Sequence, residues 1–379
     1  MKPTTYAIVG GGIAGLTTAI ALQQIGMHVQ LFEAAAEIKP VGAGLGLGTN
    51  AVKALASLGL GPEVHEIGQP MKQFSMLTET GKIITHSGLM TTDGRSNLAV
   101  HRAELHALLL SKLKPGSFHT GKRVHRLEQH PAYIELHFED GSQFESDYLV
   151  VADGIHSNIR KQLVPDCKIR YAGHCSWRGV AHGIDTTNWE PTESWGKNGR
   201  FGMIPLKNNR VYWFACVNAA YGDERFKNYG IENLRQQFKN YHSPIDLVLQ
   251  HTASDKLIFS PIQDLQPLSR FAYDRVVLIG DAAHATTPNL AQGACQAIED
   301  AVVLANCLKK QSDTVVAFQK FEQHRIKRTH WIVNTSWQLG KIAQLENPLL
   351  IQMRNLLLKV MPDAASRRQF QKLETVDLG

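Results

Sequence analysis

Residues 6–33 read YAIVGGGIAGLTTAIALQQIGMHVQLFE. Tyr6-Ala7-Ile8-Val9 is a short apolar strand, and Gly10-Gly11-Gly12-Ile13-Ala14-Gly15 is a turn. Leu16 to Ile25 has helical spacing and ends at Gly26, a residue suited to a C-cap. Val29-Gln30-Leu31-Phe32 is a second strand, and Glu33 stands at its tip. Strand, glycine turn, helix and strand make a βαβ unit, so the chain opens as an α/β domain with a parallel sheet.

Each part of the turn has a physical role. Gly10, Gly12 and Gly15 permit a tight bend and let backbone approach a pyrophosphate, with Ile13 and Ala14 opening the helix between them. The helix N-terminus offers free N–H groups and about half a positive charge. Glu33, 18 residues after Gly15, suits a ribose 2′-hydroxyl and would repel a 2′-phosphate. The pattern specifies an adenosine diphosphate group and does not choose between NAD and FAD.

The chain has 379 residues, enough for two or three core-bearing units. Its 43% hydrophobic and 20% charged residues are ordinary for a globular protein, and no apolar run approaches a membrane span. The start of the chain runs almost directly into a strand, without a secretory signal pattern. Five scattered cysteines (Cys167, Cys175, Cys216, Cys295, Cys307), with no C-x-x-C, fit reduced thiols in the cytoplasm better than disulfides or a zinc site, and no metal is expected. The net charge is +6, but the densest basic cluster is only His324–Arg328 on a helix face, so no nucleic-acid surface is expected.

Farther along, Val41 to Gly48 is glycine-rich and leads into a helix at Ala51–Leu58, which Thr49 or Asn50 is placed to cap. His101–Leu113 is another helix. Leu149-Val150-Val151-Ala152 is a buried strand that ends at Asp153-Gly154. From about Tyr171 to Phe271 apolar and polar residues alternate between turn clusters, as in a mostly antiparallel sheet. Phe201–Leu206 and Val211–Val217 form a hairpin around Lys207-Asn208-Asn209. Parallel-sheet texture returns at Arg275-Val276-Val277-Leu278-Ile279, which leads to Gly280-Asp281, Pro288 and a helix opening at Gln292-Gly293-Ala294.

The expected architecture is therefore α/β: a Rossmann-type domain with a parallel sheet, interrupted by a mostly antiparallel substrate sheet, with a helical C-terminal tail. The nucleotide domain takes 1–75, 100–170 and 272–330, the substrate sheet 76–99 and 171–271, and the tail 331–379.

The fingerprint, the Asp153-Gly154 motif and the Gly280-Asp281 motif occur in one order, with Arg102 in the helix between the first two. This constellation resembles the single-component FAD-dependent monooxygenases of the p-hydroxybenzoate hydroxylase type and is similar to the salicylate and urate hydroxylases among them. The likeness spans roughly residues 5–330. It implies bound FAD, with NAD(P)H and O2 as co-substrates, and one oxygen atom passing to a small aromatic or heteroaromatic substrate through a C4a-hydroperoxyflavin. The same chemistry on an alkene or antibiotic-like scaffold, or an FAD-dependent reductase without oxygen activation, stays open.

The resemblance also implies residue roles. Asp281 accepts from the ribityl hydroxyls, Pro288 walls the flavin ring, and Gly293 and Ala294 point N–H groups at its pyrimidine edge. Asp153 and Gly154 lie near the pyrophosphate, Arg102 contacts phosphate or ribityl, and the Gly44–Leu47 segment, with Gly44 and Gly46, lies beside the isoalloxazine. His284 is either a structural histidine or a contributor to the flavin edge.

Substrate-pocket candidates are Arg200, Tyr212, Trp213 and Pro288, with Trp177-Arg178-Gly179 nearby in the pattern and His182 as a possible acid or base. Tyr212 and Trp213 point to opposite faces of a strand, so only one lines the site. A small molecule is the expected partner, and the chain is expected to be a monomer or homodimer without stable membrane insertion. The helix within 347–360 is expected to dock on the nucleotide domain.

Overall fold

The computed structural model describes residues 4–39, 42–88, 96–360, 371–375 and 377–379. Val41, part of 76–99 and part of the tail lie outside them.

Six strands form the nucleotide-domain sheet in the order Ala272–Tyr273, Val276–Leu278, Tyr148–Val151, Thr5–Val9, His28–Phe32, Phe118–His119. All neighbours are parallel except the first pair. Thr5–Val9, Tyr148–Val151 and Val276–Leu278 are apolar and covered on both faces, as parallel central strands require. The fingerprint helix Ile13–Gln24 lies on this sheet and packs against the helix Gly293–Lys310. Gly26, at φ +85°, ends the first helix as the sequence indicates.

The second sheet has seven strands, in the order Ile258–Leu265, Ile169–His182, Arg210–Asn218, Gly199–Leu206, Thr192–Gly196, Gln73–Thr78, Ile83–Gly88. It is antiparallel except where Thr192–Gly196 meets Gln73–Thr78. The expected hairpin is present, and Asn208 and Asn209 both take the positive φ that a tight hairpin turn needs. Asn97–His101 instead joins Gly44–Leu47 and Gln69–Met71 in a small sheet between the two large ones. A second small sheet, Val124–Gln129, Ile134–Phe138 and Gln143–Ser146, rests Phe138 and Phe144 on Phe32.

Local readings were corrected at two places. Gly48 caps the helix Thr49–Ser57, because the Asn50 amide is drawn instead to Gln292 and Glu299. The helix Pro348–Val360 docks on the second sheet and not on the nucleotide domain: Leu358 joins Ile84, Met76 and Trp195, and Arg354 stacks on Trp195 at 4.9 Å. The long helix Thr314–Ala343 runs unbroken through residue 330 and bridges both domains. None of the described helices is long and apolar enough to cross a membrane.

Candidate active site

The fingerprint turn is built by close backbone contact. A Cβ on Gly15 would stand 1.9 Å from the Gly10 carbonyl oxygen, and one on Gly10 would strike Ala152 O at 2.3 Å. A Cβ on Gly12 would meet nothing within 4 Å, so the open side of the turn lies there. No side chain caps the helix that follows. Glu33 accepts from Gly11 N and Ala35 N, both at 2.7 Å. A carboxylate has about four acceptor sites, so both oxygens keep capacity for a ribose. His106, one turn beyond Arg102, donates to Gly11 O at 2.7 Å and braces the turn.

The other two motifs converge on the same strand tips. Asp153 follows Tyr148–Val151, and Gly280-Asp281 follows Val276–Leu278. Gly280 adopts φ +54°, ψ −142°, a conformation nearly confined to glycine, and a Cβ there would lie 2.8 Å from Ala14 Cβ. The sequence gives no sign of the group that joins the motifs. Fully buried Arg160 donates to Gly154 O, Ile155 O and Ala282 O.

Burial raises the Asp153 carboxyl pKa against the Ser157 hydrogen bond, and its Oδ1 is enclosed without a partner among the described residues. Asp281 is exposed, with Oδ1 turned toward Gly293. Burial raises its pKa, opposed by His284, Arg102 and Arg160. Gly293 faces it, with Asp281 Oδ1 4.0 Å from the place of a Cβ. Gly293–Lys310 therefore opens beside Asp281 with no side-chain cap on its first N–H groups.

His284 resolves to the structural alternative. It is 3% exposed and bonds Asp300 Oδ2 at 2.7 Å. Asp300 also accepts from Gly280 N and Arg325 Nε. Burial alone would raise the Asp300 pKa, but His284 and Arg325 hold it down to about 2.

The two hairpin faces separate cleanly. Trp213 is fully buried in the second domain's own core, stacked on Phe201 with its Nε1 on Thr252. That corrects its assignment to the pocket, because the face it occupies is covered by the helices Ile231–Gln237 and Ile245–Gln250. Trp177 shares that core. Tyr212 points the other way, onto the Gly44–Leu47 strand, where a Cβ on Gly44 would lie 2.4 Å from Tyr212 Cγ. Burial pushes the Tyr212 phenol up to about 12. Phe214, Arg178 and Arg200 share its face by register. His182, at the far end of its strand, is exposed.

Arg200 is buried, and its guanidinium is held by Glu193 at 3.0 Å, Gln344 at 2.7 Å and Asn289 at 3.0 Å. Asn289 follows exposed Pro288, and its own amide is fixed on Thr287 and Ser336. Sequence reading missed Asn289 because only the fold brings it to Arg200.

The arrangement fits FAD. Open space at Gly12 beside an uncapped fingerprint helix, the Asp153 Oδ1 without a partner among the described residues and the Asp281–Gly293 corner follow three neighbouring strands of one sheet, and exposed Arg102 lies close enough to Asp281 to lower its pKa.

The family model described as "FAD binding domain" matches residues 3–313. The chain belongs to this FAD-binding family. It is a flavoprotein of the aromatic hydroxylase type, with its FAD domain completed by the C-terminal third. The Stigmatella aurantiaca aurachin C monooxygenase/isomerase is 34% identical over 97% of this chain and 98% of that protein. The Pseudomonas aeruginosa 2-heptyl-3-hydroxy-4(1H)-quinolone synthase is 31% identical over 98% of each. Among solved structures, Klebsiella pneumoniae HpxO complexed with FAD and uric acid superposes with a TM-score of 0.91 at 29% identity, covering 98% of this chain and 97% of that one.

Proposed function

We propose that the chain is an NAD(P)H-dependent FAD monooxygenase that inserts one atom of O2 into a small nitrogen-containing heteroaromatic ring. The observation that carries this reading is the apposition of one sheet face, bearing Tyr212, Phe214, Arg178 and Arg200, to the glycine strand Gly44–Leu47, which lies against Ala291 and Cys295 at the start of the Gly293–Lys310 helix. Two relatives aligned over nearly their whole length are named for aurachin and quinolone chemistry, which favours a quinolone-like substrate.

When bound, FAD supplies the transfer of two electrons from NAD(P)H and the activation of O2. The protein holds and encloses. Glu33, Arg102 and Asp281 bind the cofactor, and the N-terminus of Gly293–Lys310 stabilises negative charge by about 0.3–2 kcal/mol. The aromatic side chains shut out water, which would otherwise divert reducing equivalents to peroxide. Five unpaired cysteines suit a reducing compartment such as the cytoplasm.

Two measurements test the proposal. The reduced, FAD-loaded protein is mixed rapidly with oxygenated buffer, and a transient absorbing species before oxidised flavin returns marks an oxygenase. NADH and NADPH consumption is then followed with a 2-alkyl-4(1H)-quinolone, uric acid and 6-hydroxynicotinate, with hydroxylated product quantified. Consumption without oxygenated product on any heteroaromatic would leave the reductase reading in its place.

A further inference from the structure

Three glutamates cross the three-stranded sheet of Val124–Gln129, Ile134–Phe138 and Gln143–Ser146 at one level. Glu128 lies opposite Glu135, and Glu135 lies opposite Glu145. Like charges directly opposite one another destabilise a sheet. Among the described residues the Arg or Lys paired with this row is Arg126, which bonds Glu128 Oε1 at 2.7 Å. The opposite face carries Phe138 and Phe144 onto Phe32, so the row is held at a packed sheet and cannot simply splay apart.

Two imidazoles enter the same space. His137 shares the face of Glu135 by alternation, and His130 comes from the turn between the two strands. His137 Nε2 lies 3.2 Å from Glu128 and 3.8 Å from Glu135. His130 Nε2 lies 3.9 Å from Glu128 and 3.7 Å from Glu135. Both Nε2 atoms are shielded from solvent, and neither has a hydrogen-bond partner among the described residues. Four N/O ligands around a tetrahedral ion, at about 2.0–2.2 Å each, stand roughly 3.3–3.6 Å from one another. His130 Nε2 stands 3.9 and 3.7 Å from the two carboxylates, a little beyond that spacing, and the three ligand atoms of Glu128, His130 and Glu135 all lie within 4.8 Å of one another.

We propose that Glu128, His130 and Glu135 form a binding site for a divalent transition metal of the zinc type, apart from the flavin site, with its remaining positions open to water. An imidazole with two carboxylates favours such an ion, whereas magnesium and calcium prefer all-oxygen shells. Gln143 lies 3.2 Å from His137 Nδ1. Its amide nitrogen donates to Nδ1, so His137 Nε2 keeps its hydrogen, and His137 flanks the site beside Glu128 without ligating. The ion clips two strands whose other face supports Phe32, the residue before Glu33. Its role is structural, with no redox step. The ligands are separated in sequence by a turn and meet only across strands, which is why no spacing motif announces them.

The test uses the FAD-loaded, tag-free protein after chelator treatment and dialysis. Calorimetric titration with zinc chloride is expected to show one ion per chain, with no saturable heat from magnesium, and zinc is expected to raise Tm. Glu135→Gln and His130→Ala each weaken zinc binding by about tenfold or more. Glu135→Gln keeps the side-chain size and relieves the like-charge row, so its FAD absorbance and metal-free Tm are retained or improved. Absence of saturable zinc binding by the chelated protein overturns the proposal, because the histidines then serve only as proton-linked partners of the glutamates. Equal zinc affinity in the parent and both variants overturns it as well, by placing the ion elsewhere.

Discussion

Arg200 Nη2 donates a 3.0 Å hydrogen bond to Asn289 Oδ1, and this bond joins the face of the second sheet to the loop that carries Pro288. Asn289 is fixed in turn to the long helix through Ser336 O. Asn289→Ala leaves a buried guanidinium arm unpaired, which costs about 1–3 kcal/mol. We expect kcat/KM to fall roughly tenfold or more with FAD still bound. Steady-state kinetics with a verified substrate and the flavin absorbance spectrum check this, and unchanged kcat/KM would remove Arg200–Asn289 from the pocket.

Arg200→Ala is expected to do more. It raises KM strongly, and it also strands Glu193, which is 3.0 Å from the guanidinium and half-buried. Breaking a buried pair by removing one partner destabilises by about 3–5 kcal/mol. Adding Glu193→Gln to Arg200→Ala should recover part of the stability and none of the KM, which separates folding from binding. Denaturant titration alongside kinetics makes the distinction.

Gly44→Ala drives a methyl group into the Tyr212 ring. Overpacking of this kind costs about 1–3 kcal/mol, and we expect FAD affinity to fall with it. Tyr212→Ala in the same chain removes the obstruction, so the paired substitutions should be less than additive. A double-mutant cycle on Tm and FAD affinity reports the coupling, and strict additivity would contradict the contact.

Asp281→Ala should release FAD without weakening the protein. Asp281 is exposed at the strand tip and makes no hydrogen bond to another side chain among the described residues, so its loss removes a cofactor contact and little that holds the fold. We expect the variant to purify with little flavin and with an apoprotein Tm equal to or above that of the parent apoprotein. Full flavin occupancy would show that Asp281 is only a helix-start residue.

His174 sets an acid limb. Burial first, then Arg200, lowers its pKa from 6.5 to about 4. The unfolded chain therefore takes the proton first, and stability contributed by neutral His174 is full above pH ~6.5 and falls progressively toward pH ~4. The loss reaches roughly 3 kcal/mol at most. Denaturant midpoints across that window should flatten in His174→Gln relative to the parent, and an unchanged slope would refute the assignment.

The parts that were legible in the sequence are strings in which strand, turn and helix follow one another. Gly10 to Gly15, Asp153-Gly154 and Gly280-Asp281 each sit at a strand end, and a change of periodicity marks each end. The Tyr212–Trp213 pair shows the limit. Alternation says that they part company, but only the helices packed over Trp213 decide which of them meets the glycine strand. Arg160, His106 and Asn289 were illegible for another reason. Each acts through a backbone or amide group distant in sequence, and nothing in the local pattern records such a bond. The tail helix was assigned to the wrong neighbour because an apolar stripe states that a helix must dock and leaves open where.

The contact between Gly280 and Ala14 has a consequence for how the protein is made. The first motif leaves the ribosome long before the last, yet Val276–Leu278 completes the sheet beside Tyr148–Val151 and Gly293–Lys310 covers the first helix. A nascent chain stopped anywhere short of about residue 310 carries a nucleotide-binding half whose apolar flank is bare. Cofactor capture is therefore an event of the finished polypeptide, and a chaperone has its longest opportunity while the second sheet is being synthesised between the two halves.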